Sequence, residues 1–309
     1  MQTVVSVVLI AFLPGCTSMT KSNSNISIPL APANSISVKG ITVNYTANCS
    51  PSKKPTLVLI HGFGASLETW TDIYPELCEQ YSVIRLDLKG AGFSSKPRDE
   101  QYAPIDQARL VLAFLTALRQ TNVVLVGHSL GGGIALLSYF LSTNSQELQI
   151  KGLILIDSAG YSQELPFFVS AVRNPIPEIL SNLLPARYRA KHVLERLFVD
   201  QTKITEERID RYAFFLNTLG NRYALNQTAK QILPENVARL TAEFPTIRVP
   251  TLIVWGEEDD VIPITYAQRF TQDIPNSRLV ILPETGHMPQ EERSHETFQA
   301  IHSFMQAIK

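Results

Sequence analysis

The chain is expected to fold as an α/β protein, with a mostly parallel central sheet flanked by helices and a helical cap inserted late in the sheet. Three observations predict this. Short apolar runs of strand length alternate with stretches of helical spacing, which is the pattern of βαβ units. Those runs are continuously apolar, as strands buried on both faces must be (Thr56 to Ile60, Asn122 to Val126, Gly152 to Ile156 and Thr251 to Trp255). Between the third and fourth of them lie some ninety residues without a strand-like run of the same quality. The chain of 309 residues is 45% apolar and 18% charged, with a formal net charge of −1, so it has enough apolar material for one large globular core. No basic excess marks a nucleic-acid surface, and nucleic-acid binding is not expected.

Taken in order, Ile36 to Tyr45 alternates around Gly40 and predicts an antiparallel hairpin. Thr56 to Ile60 is a strand bounded by Pro55 and Gly62. Leu67 to Leu77 reads as a helix, with Pro75 complicating its end. Tyr81 to Leu86 is a strand that runs into Asp87-Leu88-Lys89-Gly90-Ala91-Gly92-Phe93-Ser94. Ile105 to Leu118 has helical spacing. The strand Asn122 to Val126 leads into Gly127-His128-Ser129-Leu130-Gly131-Gly132, and Ile134 to Leu141 continues as a helix. Gly152 to Ile156 is the next strand, ending at Asp157. Helical stretches follow at Pro177 to Leu184, Arg187 to Phe198, Glu206 to Leu216 and Tyr223 to Ile232. Strands resume at Thr251 to Trp255 and Arg278 to Leu282, and His295 to Ile308 closes the chain as an amphipathic helix. The boundaries drawn are 35–157 and 248–309 for the core and 158–247 for the cap.

In such sheets ligands bind beyond the carboxyl ends of the strands, and the chemical motifs fall there. A strand, a Gly-flanked Ser and a helix make a sharp turn that holds the Ser129 hydroxyl clear of the sheet. A Ser hydroxyl is a poor nucleophile at neutral pH and needs a base, which favours His. His287, in a loop after the last predicted strand, is the candidate. The other histidines sit in glycine turns (His61, His128), in the cap (His192) or in the final helix (His295, His302). A carboxylate must orient that base. Glu257-Glu258-Asp259-Asp260 follows a strand and offers four. Backbone N–H groups of Phe63, in His61-Gly62-Phe63-Gly64, and of Leu130, at a helix N-terminus, are placed to hold an oxyanion. Trp70, Phe167, Phe168 and Met288 are the candidate substrate-binding residues, with Tyr212, Phe214 and Phe215 as further aromatic lining.

Together, the His61–Gly64 loop, the Asp87–Ser94 segment, the elbow at Ser129, the Asp259 loop and Gly286-His287 resemble the α/β-hydrolase superfamily, in its helical-cap branch. The resemblance spans roughly Ser35 to Lys309. It implies a Ser129–Asp259–His287 triad of esterase or lipase type acting on a small-molecule or lipid ester without metal or organic cofactor. Among the four acids Asp259 is chosen because Gly256-x-x-Asp259 with Pro263 downstream matches the family pattern, and Asp260 is the runner-up. The same superfamily contains C–C bond hydrolases and acyltransferases, and these remain alternatives, as does a non-catalytic ligand-binding protein. Its C–C hydrolases often carry Asn before the nucleophile and Trp after the catalytic His, where this chain has His128 and Met288. A monomer is expected.

The N-terminal segment reads separately. Val4 to Leu13 is apolar but too short to span a bilayer, and suits the core of a signal peptide. It ends at Leu13-Pro14-Gly15-Cys16, which resembles a bacterial lipobox and implies lipidation of Cys16, although Pro14 is unusual there and no Lys or Arg precedes the apolar run. Residues 1–16 are thus read as a signal peptide and 17–34 as a flexible tether, giving an exported protein anchored to a membrane of the cell envelope, with a periplasmic or secreted soluble form as the alternative. In an oxidising compartment Cys49 and Cys78 could pair; the sequence does not show that they are close.

Overall fold

The computed structural model describes residues 33–47, 49, 55–143, 145, 147–174, 183–234 and 236–308. The proposed signal peptide, Cys16 and nearly all of the tether lie outside them, as does most of the stretch Pro177 to Leu184.

Eight strands form one sheet: β1 (Asn34–Val38), β2 (Ile41–Thr46), β3 (Thr56–Ile60), β4 (Val83–Leu86), β5 (Asn122–His128), β6 (Gln149–Ile156), β7 (Thr251–Gly256) and β8 (Ser277–Leu282). Their order is β1-β2-β4-β3-β5-β6-β7-β8. The hairpin β1–β2 is antiparallel and turns at Gly40, whose φ of 80° suits glycine. β2 joins β4 antiparallel, and every pairing from β4 to β8 is parallel. This is the expected mostly parallel sheet.

Helices cover both faces. They are α1 (Tyr74–Gln80), α2 (Pro104–Ala117), α3 (Leu130–Ser142), α4 (Phe167–Arg173), α5 (Ala186–Leu197), α6 (Glu206–Leu216), α7 (Asn221–Gln231), α8 (Val237–Ala242), α9 (Thr265–Asp273), α10 (Pro289–Glu292) and α11 (Ser294–Ala307). The pleat sorts each strand's side chains between two core layers. Val58, Ile60, Val123, Leu125, Leu153 and Ile253 pack on the side of α2, α3 and α9. Leu57, Leu59, Val124, Val126, Ile154 and Leu252 pack on the side of α1 and α11. That double burial is why these strands read as unbroken apolar runs.

One predicted element is corrected. Leu67 to Leu77 is not one helix: a 3₁₀ turn at Leu67–Trp70 ends, and α1 begins anew with Pro75 in its first turn, the position where the missing N–H of proline costs nothing. Helices α4 to α8 all lie between β6 and β7. α5 and α6 share a small apolar cluster of their own that includes Met288. Cys49 and Cys78 form a disulfide with Cα atoms 4.9 Å apart. Among the described residues, no helix is long and apolar enough to cross a membrane.

Candidate active site

The site forms where β3, β5, β6 and β7 end side by side. β5 runs straight into α3, and Ser129 joins them with φ 53° and ψ −122°, a backbone conformation that an L-residue adopts only under strain. The glycines explain how the turn closes. A Cβ on Gly127 would overlap the Gly131 carbonyl and the Gly132 Cα, and one on Gly131 would overlap the Ile60 and His61 carbonyls. Strand, turn, helix and the neighbouring β3 loop therefore touch backbone to backbone.

His287 and Asp259 reach Ser129 from two other loops. His287 Nε2 lies 3.0 Å from Ser129 Oγ, and His287 Nδ1 lies 2.7 Å from Asp259 Oδ2. Asp259 turns its other oxygen to the backbone N–H groups of Val261 and Ile262, at 2.8 and 3.0 Å, which fixes its rotamer. Both side chains are almost fully buried. The neighbouring Glu257, Glu258 and Asp260 point outward into solvent, so Asp259 alone of the four acids meets the histidine.

The loop that offers Phe63 lies against Ser129: a Cβ on Gly62 would stand 3.0 Å from Ser129 Cβ. His61 and Asp87 hold this neighbourhood in shape. His61 Nε2 accepts from Leu88 N–H at 3.0 Å, and burial lowers its pKa. Asp87 accepts from Leu67 N–H, Phe93 N–H and Asn44 Nδ2 at 2.7 to 2.9 Å. The Asp87–Ser94 segment is thus structural support.

Two further buried groups adjoin the histidine, and sequence reasoning did not assign them roles. His128 Nε2 donates to the His287 carbonyl at 2.7 Å, leaving Nδ1 as a buried acceptor without a partner. Burial, together with the nearby His287, holds its pKa well below the usual histidine value, so it is neutral at neutral pH. Asp157, at the end of β6 with φ 40°, accepts from Gly256 N–H at 2.9 Å through Oδ1, and its Oδ2 has no partner. Burial first, and the nearby Asp259 second, push its carboxyl well above the usual range. His128, Asp157 and His287 are the described residues that come nearest to a metal-ligand cluster, with one potential ligand atom from each within 4.8 Å. However, both ring nitrogens of His287 are engaged by Ser129 and Asp259, and only Asp157 Oδ2 and His128 Nδ1 remain uncommitted.

A cavity of about 310 Å³ opens onto Ser129 and His287 and is bounded by Phe63, Leu130 and the helices between β6 and β7. Its walls are largely apolar. Phe168, Met288 and Tyr212 line it, and half-exposed Phe167 stands at its edge. Trp70 does not line it, contrary to expectation. Its ring is fully buried in the layer beneath α1 and α11, because the 3₁₀ turn that carries it rolls it toward Leu57 and Leu59. Phe214 and Phe215 are also elsewhere, packed edge-on against Phe93. Beside the cavity, Glu291 accepts from Thr69 Oγ1 at 2.6 Å and Tyr212 Oη at 2.5 Å and pairs with Arg208 at 2.9 Å; burial raises its pKa, opposed first by Arg208.

Comparison with known proteins identifies the fold family. The model of the alpha/beta hydrolase fold family matches residues 55–294. An uncharacterized hydrolase of Bacillus subtilis, YugF, is 30% identical over 280 residues, covering 89% of this chain and 98% of that protein. The 2-hydroxy-6-oxo-6-(2'-aminophenyl)hexa-2,4-dienoic acid hydrolase of Metapseudomonas resinovorans is 30% identical over 258 residues, covering 82% and 84%. Among solved structures, a bacterial membrane phospholipase A, described as a virulence factor, superposes with a TM-score of 0.72 at 29% identity, covering 90% of this chain and 86% of that one.

Proposed function

The chain belongs to the α/β-hydrolase fold family, and on that footing we propose that it is a serine hydrolase cleaving carboxylic esters through an acyl-enzyme. The observation that carries the proposal is the continuous line Ser129 Oγ–His287–Asp259, at 3.0 and 2.7 Å, at the floor of an apolar cavity. Ser129 Oγ attacks the ester carbonyl carbon while His287 Nε2 takes its proton. The developing oxyanion is held by the N–H groups of Phe63 and Leu130, the latter at the N-terminus of α3. Collapse breaks the acyl–oxygen bond, and His287 returns the proton to the leaving alkoxide. Water then attacks the acyl-enzyme by the same relay and restores Ser129. Asp259 keeps the Nδ1–H tautomer and stabilises the imidazolium. No step calls on a cofactor.

The largely apolar walls and the likeness to a phospholipase support an ester with an apolar acyl group, including a lipid ester. The relative from Metapseudomonas resinovorans supports a second reading, in which the same relay hydrolyses a C–C bond. We further propose that the protein is exported and tethered to the envelope through Cys16, a placement that the Cys49–Cys78 disulfide supports.

The test is hydrolysis of p-nitrophenyl esters from acetate to palmitate, with fluorophosphonate labelling of Ser129. Ester turnover is expected, lost by roughly 10⁶-fold in Ser129→Ala or His287→Ala and by roughly 10⁴-fold in Asp259→Asn. Labelling of Ser129 without turnover of any ester would overturn the ester reading in favour of C–C bond cleavage or a specialised acyl substrate.

A further inference from the structure

The loop that carries His287 is gripped by a buried carboxylate that belongs to neither the triad nor the cavity wall. Glu292, at the end of α10, is 1% exposed. Its Oε2 accepts from Gly286 N–H at 2.8 Å. Its Oε1 accepts from Val199 N–H at 2.9 Å and Asp200 N–H at 2.6 Å. One side chain thus ties the residue before the histidine to the strap that follows α5. The same strap touches the histidine loop twice more. His287 N–H donates to the Leu197 carbonyl at 2.8 Å, and a Cβ on Gly286 would overlap that carbonyl. On its other side, the His287 carbonyl accepts from His128.

We propose that Glu292 is a positioning residue for His287: its carboxylate clamps the histidine loop to the strap at 197–200 and thereby sets the reach of Nε2 to Ser129. The proposal rests on the serine-hydrolase reading above. The physical ground is the number of donors on one acceptor group. Three backbone N–H groups converge on one carboxylate that is itself almost fully buried, so its oxygens have little solvent to turn to in place of these donors. They come from two segments nearly ninety residues apart, so the carboxylate fixes a distance that neither segment fixes alone. That distance matters because reacting atoms must stand about 3 to 3.5 Å apart, and a displacement of about 1 Å can cost roughly 10²-fold in rate. Leu194 and Leu197 of α5 also line the cavity, so the clamp joins the wall that meets the substrate to the loop that carries the base.

The experiment compares wild type, Glu292→Gln and Glu292→Ala with p-nitrophenyl butyrate, on the plateau of the pH profile, alongside the rate and end point of fluorophosphonate labelling. Gln keeps the shape and one carbonyl acceptor; Ala keeps neither. A displaced base predicts graded loss of kcat, roughly tenfold for Gln and roughly 10²-fold for Ala, with KM within about twofold. Labelling slows in parallel but still reaches completion. If Ala does not fold, the Gln variant carries the test by itself. A Glu292→Gln protein that labels as fast as wild type overturns the clamp. So does one whose labelled fraction drops while turnover per labelled site is unchanged, since that is loss of folded protein alone. A wild type that does not label at all overturns the serine reading, and the clamp with it.

Discussion

Ser129 occupies φ 53° and ψ −122°, a region that costs an L-residue about 1–3 kcal/mol and glycine much less. The strain is the means by which Oγ clears the sheet, and it should be measurable. Ser129→Gly is expected to be inactive yet more stable than Ser129→Ala by about 1–3 kcal/mol, read from urea midpoints. Asp157 gives a second residue-scale expectation. Its carboxyl holds a proton to higher pH in the folded state than the usual unfolded value of about 3.9, so the native state binds more protons through that window. Stability therefore falls as pH rises from about 4 towards the raised value, and stays lowered above it. Asp157→Asn keeps the Oδ1 acceptor for Gly256 and cannot ionise. Its stability relative to wild type should rise between pH 4 and pH 8, and a flat difference across that range would contradict the assignment.

At the scale of elements, β5, the elbow and α3 act as one unit because glycine allows α3 to touch the end of β3. Gly131→Ala forces a Cβ into the Ile60 and His61 carbonyls, which cannot retreat without moving the strand. We expect loss of the proposed hydrolase activity together with destabilisation of more than about 2 kcal/mol by chemical denaturation. Much of this unit was legible beforehand. The Gly-x-Ser-x-Gly spacing, the strands buried on both faces and the order Ser129, Asp259, His287 all carry local signatures. What escaped was of another kind. The short helix α4 follows Pro166 without a capping side chain, and Phe167 and Phe168 look the same in a helix or a loop. Trp70 follows the His61–Gly64 loop closely along the chain, but a single 3₁₀ turn decides which layer receives it. Glu292 bonds to backbone N–H groups 92 and 93 residues away, and a backbone donor leaves no mark on residue identity.

For the whole molecule, the disulfide is the one covalent link across distant positions among the described residues. It closes a sequence separation of 29 and lies against the α1 and α11 core layer, away from the cavity. Chain-entropy arguments give such a loop about 3–4 kcal/mol. Reduction is expected to lower the unfolding free energy by that amount, read from the shift of the urea midpoint multiplied by m, while leaving kcat for p-nitrophenyl butyrate at 25 °C within about twofold, provided the reduced protein stays folded. A loss of kcat in still-folded protein would mean that the link reaches the site.

The helices α4 to α8 enter the chain once, after β6, and leave it once, before β7. By chain topology alone they form a cassette that recombination could exchange between related proteins to alter substrate range, with two junctions to respect. The backbone at 197–200 adds a third condition that no junction records. A transplanted cassette must present a carbonyl to His287 N–H and two N–H groups to Glu292, or it will alter the base while meaning to alter only the pocket. Chimaeras that ignore this should fold, bind and turn over slowly; those that import the strap together with its acidic partner should keep their rate.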